Sequence, residues 1–470
     1  MKKKLIATLL TAAMATTLLA GCGSAAEQPA AETTAAEPAA ETEAAAETTA
    51  ETAAADADAA ESYEECTLTM DWWGGDSRHE ATIAAIEAFE AKYPGITIEY
   101  NYGAWSDWET AKASEYLSGT NADIQQTNFD WIRKYDADGT TYLDLNTVAD
   151  TLDLTQYSES TLSLPVDVNG GLAGVPVSLT GRTFYWNKAT YEAAGLSTPT
   201  TMEELMAAGP IFKEKLGDNY YPLVATEYDR AILMAFYLQA QTGEPIIDQN
   251  GNFTLTEEQV KEGLEWITSL EENHVIPTIE YYDGEGAEAI DKSARWINGE
   301  YAGCHTWDSS PKSLVSALPN PDDFVVGNEL MDTGEFGSGS YAKVSLMFSI
   351  SAKCEHPHEA ALFLNFILND EEGAALMATE RGVPESAAAY AICEAAGAIN
   401  PIIAEAHKSV MDSNPMYWNP LFDDSSLKGD TSVYNTLFEN LSYGVRDGSY
   451  SVEDAAYDLY TAYTAIAPAK

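Results

Sequence analysis

Basic residues are scarce in this sequence, because 24 lysines and arginines stand against 75 aspartates and glutamates, for a formal net charge of −51. A surface this acidic repels phosphate groups, which makes nucleic acid and anionic lipid headgroups poor partners. Long apolar runs are scarce as well. After residue 20, no stretch is long and apolar enough to span a bilayer.

Cysteine is also rare. Beyond Cys22, the chain holds only Cys66, Cys304, Cys354 and Cys393, and their spacings match neither a zinc motif nor a CxxC pair. The sequence therefore predicts no metal site, no redox centre and no other cofactor. Two alternatives remain open for these four residues, a disulfide of unreadable connectivity and small buried thiols.

The N-terminus has the pattern of an export signal. Three lysines at positions 2–4 precede an apolar stretch over residues 5–20, which ends in Leu19-Ala20-Gly21-Cys22. This ending resembles the bacterial lipobox, in which the cysteine is lipidated after cleavage. We expect residues 1–22 to be a lipoprotein signal peptide and Cys22 to carry the lipid anchor. An ordinary signal peptide that happens to contain a cysteine is the alternative.

Residues 23–62 consist mainly of Ala, Glu and Thr, with ten acidic residues, no basic residue and no aromatic ring. Such a segment cannot bury enough apolar surface to offset its ordering entropy, so it predicts a disordered tether. The rest of the chain, from residue 63 to 470, exceeds the size of one comfortable hydrophobic core. Two domains are therefore expected.

Strands and helices alternate at the start of this folded part. Apolar periodicity predicts strands at 66–72 and 96–100, helices at about 79–93 and 105–118, and a third strand with its exit loop within 122–132. This alternation is typical of an α/β fold with a mostly parallel sheet and helices on both of its faces.

Further along the chain, helices are predicted to start near 198–209 and to cover 260–272, 357–368 and much of the chain after 432. Thr200 or Thr201 is the expected cap of the first of these helices. The stretch Asp248-Gln-Asn-Gly resembles part of a calcium loop. Its glycine comes at the fourth position and no glutamate closes the loop, so a turn is predicted instead.

Four segments of this sequence resemble a known family and occur in the family's order. They are AAIEAFEAKYPGITIEY (84–100), GVPVSLTGRTFYWNKATYEAAGLSTPTTMEEL (174–205), INGEYAGCHTWDSS (297–310) and SISAKCEHPHEAALFLNFILNDEEGAALMATERGVP (349–384). The sequence is similar to the bacterial extracellular solute-binding proteins of family 1, which are the sugar-binding components of ABC importers and include maltose-binding protein.

The resemblance implies two α/β lobes, a hinge that the chain crosses more than once and a ligand cleft between the lobes. The crossings are expected near 179–182 and 343–349. Lobe one would then comprise 66–179 and 346–388, and lobe two 180–345 and 389–465. The carboxyl ends of strands in open α/β sheets are also where ligands generally bind.

A sugar offers apolar ring faces and a belt of hydroxyl groups, so its site needs aromatic surfaces beside Asp, Glu, Asn or Arg. Neighbouring residues of a strand point to opposite sides. Trp73 is therefore expected at the cleft and Trp72 inside the protein. The family resemblance adds Asp130, Trp307 and Trp418. The other candidates are Asp76, Arg78, Trp105, Glu109, Trp131, Arg182, Asp308, Tyr417 and Asn419.

Structural alternatives stay open for some of these residues. Arg78 could close its loop through a salt bridge, His79 could be structural, and Trp108 could be a core residue on a helix face. The ten tryptophans of the chain favour an oligosaccharide over a monosaccharide as the ligand.

The predicted function is capture of a neutral carbohydrate, without catalysis, by a monomer that delivers it to ABC permease subunits, because the low content of basic residues disfavours an anionic ligand. We expect the protein to be anchored on the extracellular face of the cell membrane, or to be periplasmic if the cell has an outer membrane. The alternatives are a secreted glycoside hydrolase, which needs two carboxylates about 5–10 Å apart, a binding protein for a non-sugar solute and a surface adhesin.

Overall fold

The computed structural model describes residues 63–470, except 106–107, 287–288, 332–335, 425, 429–431 and the side chains of 445–447. The predicted signal peptide, the lipidation of Cys22 and the tether over 23–62 lie outside the described residues.

The chain begins with the expected alternation of strands and helices. The elements are β1 (Cys66–Trp73), α1 (Asp76–Lys92), β2 (Ile96–Gly103), α2 (Trp108–Ser118), β3 (Ile124–Thr127) and α3 (Trp131–Tyr135). Strand β1 pairs in parallel with β2 on one side and with β3 on the other. The predicted strands and helices are confirmed here, although β2 is longer and β3 shorter than the sequence pattern indicated.

The remainder is mainly helical and is crossed by two long strands. Its elements are α4 (Glu159–Leu162), β4 (Val175–Asn187), α5 (Lys188–Ala193), α6 (Met202–Lys215), α7 (Glu227–Thr242), α8 (Glu257–Glu272), α9 (Ile279–Asp283), α10 (Ala294–Ile297), β5 (Gly303–Trp307), α11 (Pro311–Ala317), β6 (Phe324–Val326), β7 (Tyr341–Ile350), α12 (Pro357–Asn369), α13 (Glu371–Met377), α14 (Ala387–Ala395), α15 (Pro401–Asp412), β8 (Met416–Tyr417), α16 (Val433–Asp447) and α17 (Val452–Ile466).

The sheet has the order β2-β1-β3-β7-β4-β5, with β6 on β4 and β8 on β7. Strand β7 runs antiparallel to both β3 and β4, and β4 runs antiparallel to β5 and β6. The prediction of a mostly parallel sheet is therefore wrong. The antiparallel pairing has a physical reason. Strand β4 carries the chain out of one lobe and β7 brings it back, so the two strands run in opposite directions.

The two largest hydrophobic cores among the described residues lie one in each lobe. The first contains Ile86 of α1 and Phe363 of α12, and the second is built largely from α7, α8, α16 and α17. Strand β4 contributes Val175 to the first core and Phe184 to the second. Strand β7 likewise contributes Phe348 to the first core and Tyr341 to the second. The two-lobe α/β fold is thereby confirmed.

In the middle of these two strands, Leu179 pairs with Val344 and Thr180 pairs with Lys343. The residues where the sequence places the two hinge crossings are therefore neighbours in the sheet. The residue bounds of the two lobes stay a prediction.

Local signals in the sequence explain several element ends. Thr201 caps α6 by accepting a hydrogen bond from the N–H of Glu204, as predicted. The carboxylate of Asp248 accepts the N–H groups of Asn250 and Asn252, and Gly251 has a φ of 80°, which completes a turn rather than a calcium loop.

The cysteine and membrane predictions can also be compared with the structure. All four cysteines in the described part are free thiols, of which Cys304 and Cys393 are buried. Among the described residues, the longest apolar helices still fall short of what a bilayer crossing requires.

Candidate functional site

The paired tryptophans at the end of β1 point to opposite sides of the sheet. Trp72 has no exposed surface, lies in the first core and donates its indole N–H to Nδ1 of His79 at 3.0 Å. Trp73 is 7% exposed, and its ring lies 5.0 Å from that of Trp105 and 5.4 Å from that of Trp131 between centroids. Strand alternation thus sends one indole into the core and the other towards the carboxyl edge of the sheet.

Trp105 gives this cluster an exposed ring, since 44% of its surface is accessible. It stacks at 18° on Trp131, with the centroids 6.3 Å apart. Trp131 itself is buried, so it supports the exposed indole from behind. We call Trp73, Trp105, Trp131 and the neighbouring Asp130 the lobe-one wall.

Asp130 gives the lobe-one wall a free acceptor. Its Oδ1 atom is buried and has no hydrogen-bond partner among the described residues. Burial and the nearby carboxylate of Glu109 raise the pKa of Asp130 to about 6, while Lys134 and Lys343 act in the opposite direction. A hydroxyl group of a ligand could supply the missing hydrogen bond.

Trp307, at the end of β5, forms the centre of a second aromatic surface. It is half-buried, with the guanidinium carbon of Arg182 at 4.7 Å and Nζ of Lys343 at 4.9 Å from its ring centroid. The same guanidinium lies 5.1 Å from the ring centroid of Tyr228, and Nζ of Lys428 lies 4.0 Å from that ring. We call these five residues the lobe-two wall.

The charges of the lobe-two wall do not cancel. Arg182 forms a buried ion pair with Asp229, whereas Lys343 and Lys428 share Asp423, at 2.5 and 3.9 Å. Three cations therefore face two carboxylates, which leaves a local excess of positive charge. This excess stands out in a chain whose net charge is −51.

Two contacts relate the walls to each other. Lys343 belongs to the crossing strand β7, and its positive charge slightly opposes the rise in the pKa of Asp130. Next to that wall, Nη2 of Arg133 in α3 donates to the backbone oxygen of Gln249 in the other lobe. The two aromatic surfaces therefore lie near the boundary between the lobes, where the Arg133–Gln249 hydrogen bond and strand β7 connect them.

Tyr417, Trp418 and Asn419 occupy positions that differ from the expected platform. Trp418 is only 2% exposed and stacks on Tyr341 at 3.7 Å, within the second core. Asn419 is buried, caps the turn at 420–423 and donates its side-chain N–H to Asp248. Tyr417 is half-buried in β8. The structure therefore uses Trp418 and Asn419 for internal packing rather than for a surface that a sugar could cover.

The loop after β1 is held by its own arginine. Arg78 donates to the backbone oxygens of Trp73 at 3.1 Å and Glu380 at 3.0 Å, so it closes the loop through carbonyl groups rather than a salt bridge. Asp76 is exposed in the first turn of α1. Glu109 forms an ion pair with Lys134 at the rim of the lobe-one wall.

Asp308 is engaged in a hydrogen-bond network at the hinge. Its carboxylate accepts the hydroxyl of Thr180 at 2.6 Å and faces Nδ1 of His407 at 2.9 Å. On the other side of the imidazole, Glu385 lies 3.4 Å from Nε2 and accepts the N–H of Leu179 at 3.0 Å. Burial lowers the pKa of His407, but the hydrogen bonds and charges of Asp308 and Glu385 outweigh it and raise the pKa to about 9.

This network predicts a loss of stability at high pH. The pKa of His407 is about 9 in the folded protein, compared with an ordinary value of 6.5. The protonated imidazole therefore stabilises the folded state fully below pH 6.5, and this stabilisation is lost as the pH rises through 9. The loss should reach roughly 3 kcal/mol in the free energy of unfolding. Urea unfolding from about pH 6 to pH 10 measures it, and His407→Gln should flatten the profile while His274→Gln should not.

Sequence reasoning missed Lys343, Tyr228, Lys428 and Asp423 as site residues. A signal existed for Lys343, because it is the single charged residue in the apolar strand YAKVSLMFSI. Tyr228 and Lys428 lie far apart in the chain, on α7 and in the loop before α16, and only the tertiary fold brings them together.

A two-lobe α/β fold joined by two crossing strands, with aromatic rings at the boundary between the lobes, is the architecture expected of a ligand-capturing protein. The sequence profile described as bacterial extracellular solute-binding protein matches residues 75–374. The chain belongs to the bacterial extracellular solute-binding proteins, and the expected family is confirmed.

Three solved structures resemble the chain over most of its length. A periplasmic oligogalacturonide binding protein from Yersinia enterocolitica is 35% identical, with coverage of 85% of this chain and 100% of that one and a TM-score of 0.76. Its complex with saturated digalacturonic acid aligns with a TM-score of 0.68. A de novo designed cysteine esterase is 34% identical, with coverage of 86% and 99% and a TM-score of 0.80.

Curated relatives are more distant. An ABC transporter extracellular-binding protein of Pyrococcus horikoshii is 26% identical over 325 residues, which cover 63% of this chain and 66% of that protein. The match to binding proteins of Brucella abortus and Brucella suis, also at 26% identity, spans 41% of their length.

Proposed function

We propose that this protein captures an acidic oligosaccharide between its two lobes and delivers it, chemically unchanged, to the permease of an ABC importer. The observation that carries the proposal is the pair of aromatic walls, one of which combines Trp307 and Tyr228 with the cations Arg182, Lys343 and Lys428.

The aromatic rings suit the apolar faces of sugar rings, and the exposed indole of Trp105 is available for such stacking. Trp307 provides a half-buried ring on the opposite wall. The free Oδ1 of Asp130 suits a hydroxyl group. Several aromatic surfaces along one cleft favour a ligand of more than one sugar unit.

The cations of the lobe-two wall favour a sugar that carries carboxylates. Arginine and lysine bind carboxylates through charge-assisted hydrogen bonds, which are about twice as strong as neutral ones. The low overall content of basic residues argues against an anionic ligand. However, salt screens the distant acidic residues of the surface, so a bound carboxylate interacts mainly with the nearby cations of the lobe-two wall. The 35% identical Yersinia protein, described as binding oligogalacturonides, supports the same substrate class.

A ligand that touches both walls would stabilise the closed arrangement of the lobes, because it gains its second set of contacts only there. Hinge closure of this kind is a known motion of periplasmic binding proteins. The closed form would then dock on the permease. In this proposal the protein is a monomer that lipid-modified Cys22 holds at the extracellular face of the membrane.

Isothermal titration calorimetry with trigalacturonate, maltotriose, cellotriose and galacturonate tests this proposal. We expect a low-micromolar Kd for the acidic trisaccharide, which corresponds to a binding free energy of about −8 kcal/mol. The neutral trisaccharides and the monosaccharide galacturonate should bind more weakly. Lys343→Gln should remove most of the preference for the acidic trimer, whereas Lys353→Gln, outside the cleft, should keep it.

The outcomes separate the alternatives. Equal binding of neutral and acidic trimers would reject the acidic ligand while retaining sugar capture. Failure of every sugar to bind would favour a non-sugar solute. Recovery of shortened sugars after incubation would identify a glycoside hydrolase instead.

A further inference from the structure

Three metal-ligating side chains from distant parts of the sequence meet on lobe one. Cys66 is the first residue of β1, His356 directly precedes α12, and Glu359 lies in the first turn of that helix. The sulfur, a ring nitrogen and a carboxylate oxygen of the three residues all lie within 4.8 Å of one another. The sequence predicted no metal site because these donors stand in no recognisable spacing along the chain.

This cluster is separate from the ligand cleft. Cys66 and Trp73 stand at opposite ends of β1. At about 3.3 Å per residue, the strand holds them roughly 23 Å apart. A metal bound at Cys66 would therefore not contact a sugar bound at the lobe-one wall.

The backbone around the cluster is well anchored. Cys66 donates its N–H to the backbone oxygen of Gly95 at 3.0 Å. The carboxylate of Glu359 is buried and accepts the N–H of Glu64 at 2.7 Å, which ties the start of the folded chain to α12. His356 is held at the N-terminal end of α12 by Pro357, which occupies the first helical position. Only small side-chain movements are needed for the three donors to converge.

We propose that Cys66, His356 and Glu359 form a binding site for a zinc ion. A thiolate, an imidazole and a carboxylate are the ligand types that Zn²⁺ uses, whereas Ca²⁺ and Mg²⁺ prefer oxygen ligands alone. The fourth coordination position of the zinc ion would be filled by a water molecule or by Glu64, whose exposed carboxylate lies 3.7 Å from Nδ1 of His356.

The surroundings suit a cation. The carboxylates of Glu64 and Glu359 lie 3.7 and 3.9 Å from Nδ1 of His356, so they place negative charge beside the donors. A surface hollow of about 560 Å³, lined by Tyr63, Glu64, Glu355, His356 and Glu359, leaves a path for the ion from solvent.

Zinc at this position would cross-link Cys66, at the start of the folded chain, to His356 and Glu359, which lie 290 and 293 positions later at the start of α12. Because the three donors converge only in the folded state, zinc would bind the folded protein in preference to the unfolded chain and stabilise it. The link would also fix the point at which the N-terminal segment joins lobe one.

Thermal unfolding and calorimetry of the reduced, purified chain with ZnCl₂ test this proposal. We expect ZnCl₂, but not MgCl₂, to raise the melting temperature, and one zinc ion to bind per chain. Cys66→Ser and His356→Ala should each weaken zinc binding at least about tenfold, which is the smallest effect typical of losing even an outer-shell partner. Cys393→Ser, at a buried thiol elsewhere, is the control and should leave zinc binding unchanged.

Cobalt absorption provides a readout that does not depend on the stability of the variants. Co²⁺ bound to the unmodified protein should show a thiolate-to-metal charge-transfer band, and the band should be absent from Cys66→Ser. No zinc effect on the unmodified protein, equal zinc binding by His356→Ala, or Cys66 found in a disulfide would each overturn the proposal.

Discussion

Replacing Trp307 by alanine should weaken binding of the acidic oligosaccharide by roughly 1–3 kcal/mol, which is about 5- to 150-fold in Kd. The half-buried ring provides the aromatic surface of the lobe-two wall and holds Arg182 and Lys343 at 4.7 and 4.9 Å. Its removal would take away both the stacking surface and the support for two cations. Calorimetry with trigalacturonate measures the change.

Trp266→Ala is the matched control. Trp266 is also half-buried, but it stacks on Tyr237 within lobe two, with the ring centroids 4.6 Å apart and the planes at 5°. Its loss should lower stability without changing the affinity. Equal Kd values for the unmodified protein and Trp307→Ala would remove the lobe-two wall from the ligand site.

Asp229→Ala should lower the free energy of unfolding by about 3–5 kcal/mol, because it leaves the guanidinium of Arg182 buried without its counter-ion. The Arg182 side chain is 3% exposed and that of Asp229 is 8% exposed. The same carboxylate also accepts the N–H of Thr226 in the capping box of α7, so the substitution removes two interactions at once. Urea unfolding followed by circular dichroism measures the loss.

Asp218→Ala provides the comparison for this prediction. Asp218 pairs with Lys213 at 3.4 Å, but both side chains are more than half exposed. Exposed pairs contribute little, so the change should stay within about 0.5 kcal/mol. Similar stabilities of the two variants would show that the buried ion pair is not important for folding.

Several features could be predicted from the sequence because their signals are local. The alternation of β1 correctly placed Trp72 inside the first core, and Thr201, one of the two expected caps, begins helix α6. The antiparallel pairing of β7 could not be found in the same way. It depends on a chain that returns from lobe two after more than a hundred residues.

The candidate site shows the same limit. Aromatic rings suit a protein core and a sugar platform equally well, so the residue type alone could not assign Trp418 to the second core. Asp308 next to Trp307 had the chemistry of a hydroxyl acceptor, yet His407, almost a hundred residues later, occupies its carboxylate. Lys343 and Lys428 become neighbours of the same carboxylate only after the two lobes have formed.

A crystal structure of the protein with bound trigalacturonate tests the central claim most directly. The account predicts an intact trisaccharide in the interlobe cleft, with the rings of Trp105 and Trp307 against sugar faces and a carboxylate of the sugar next to Lys343. A trisaccharide bound outside the cleft, or one that contacts neither tryptophan, would contradict it.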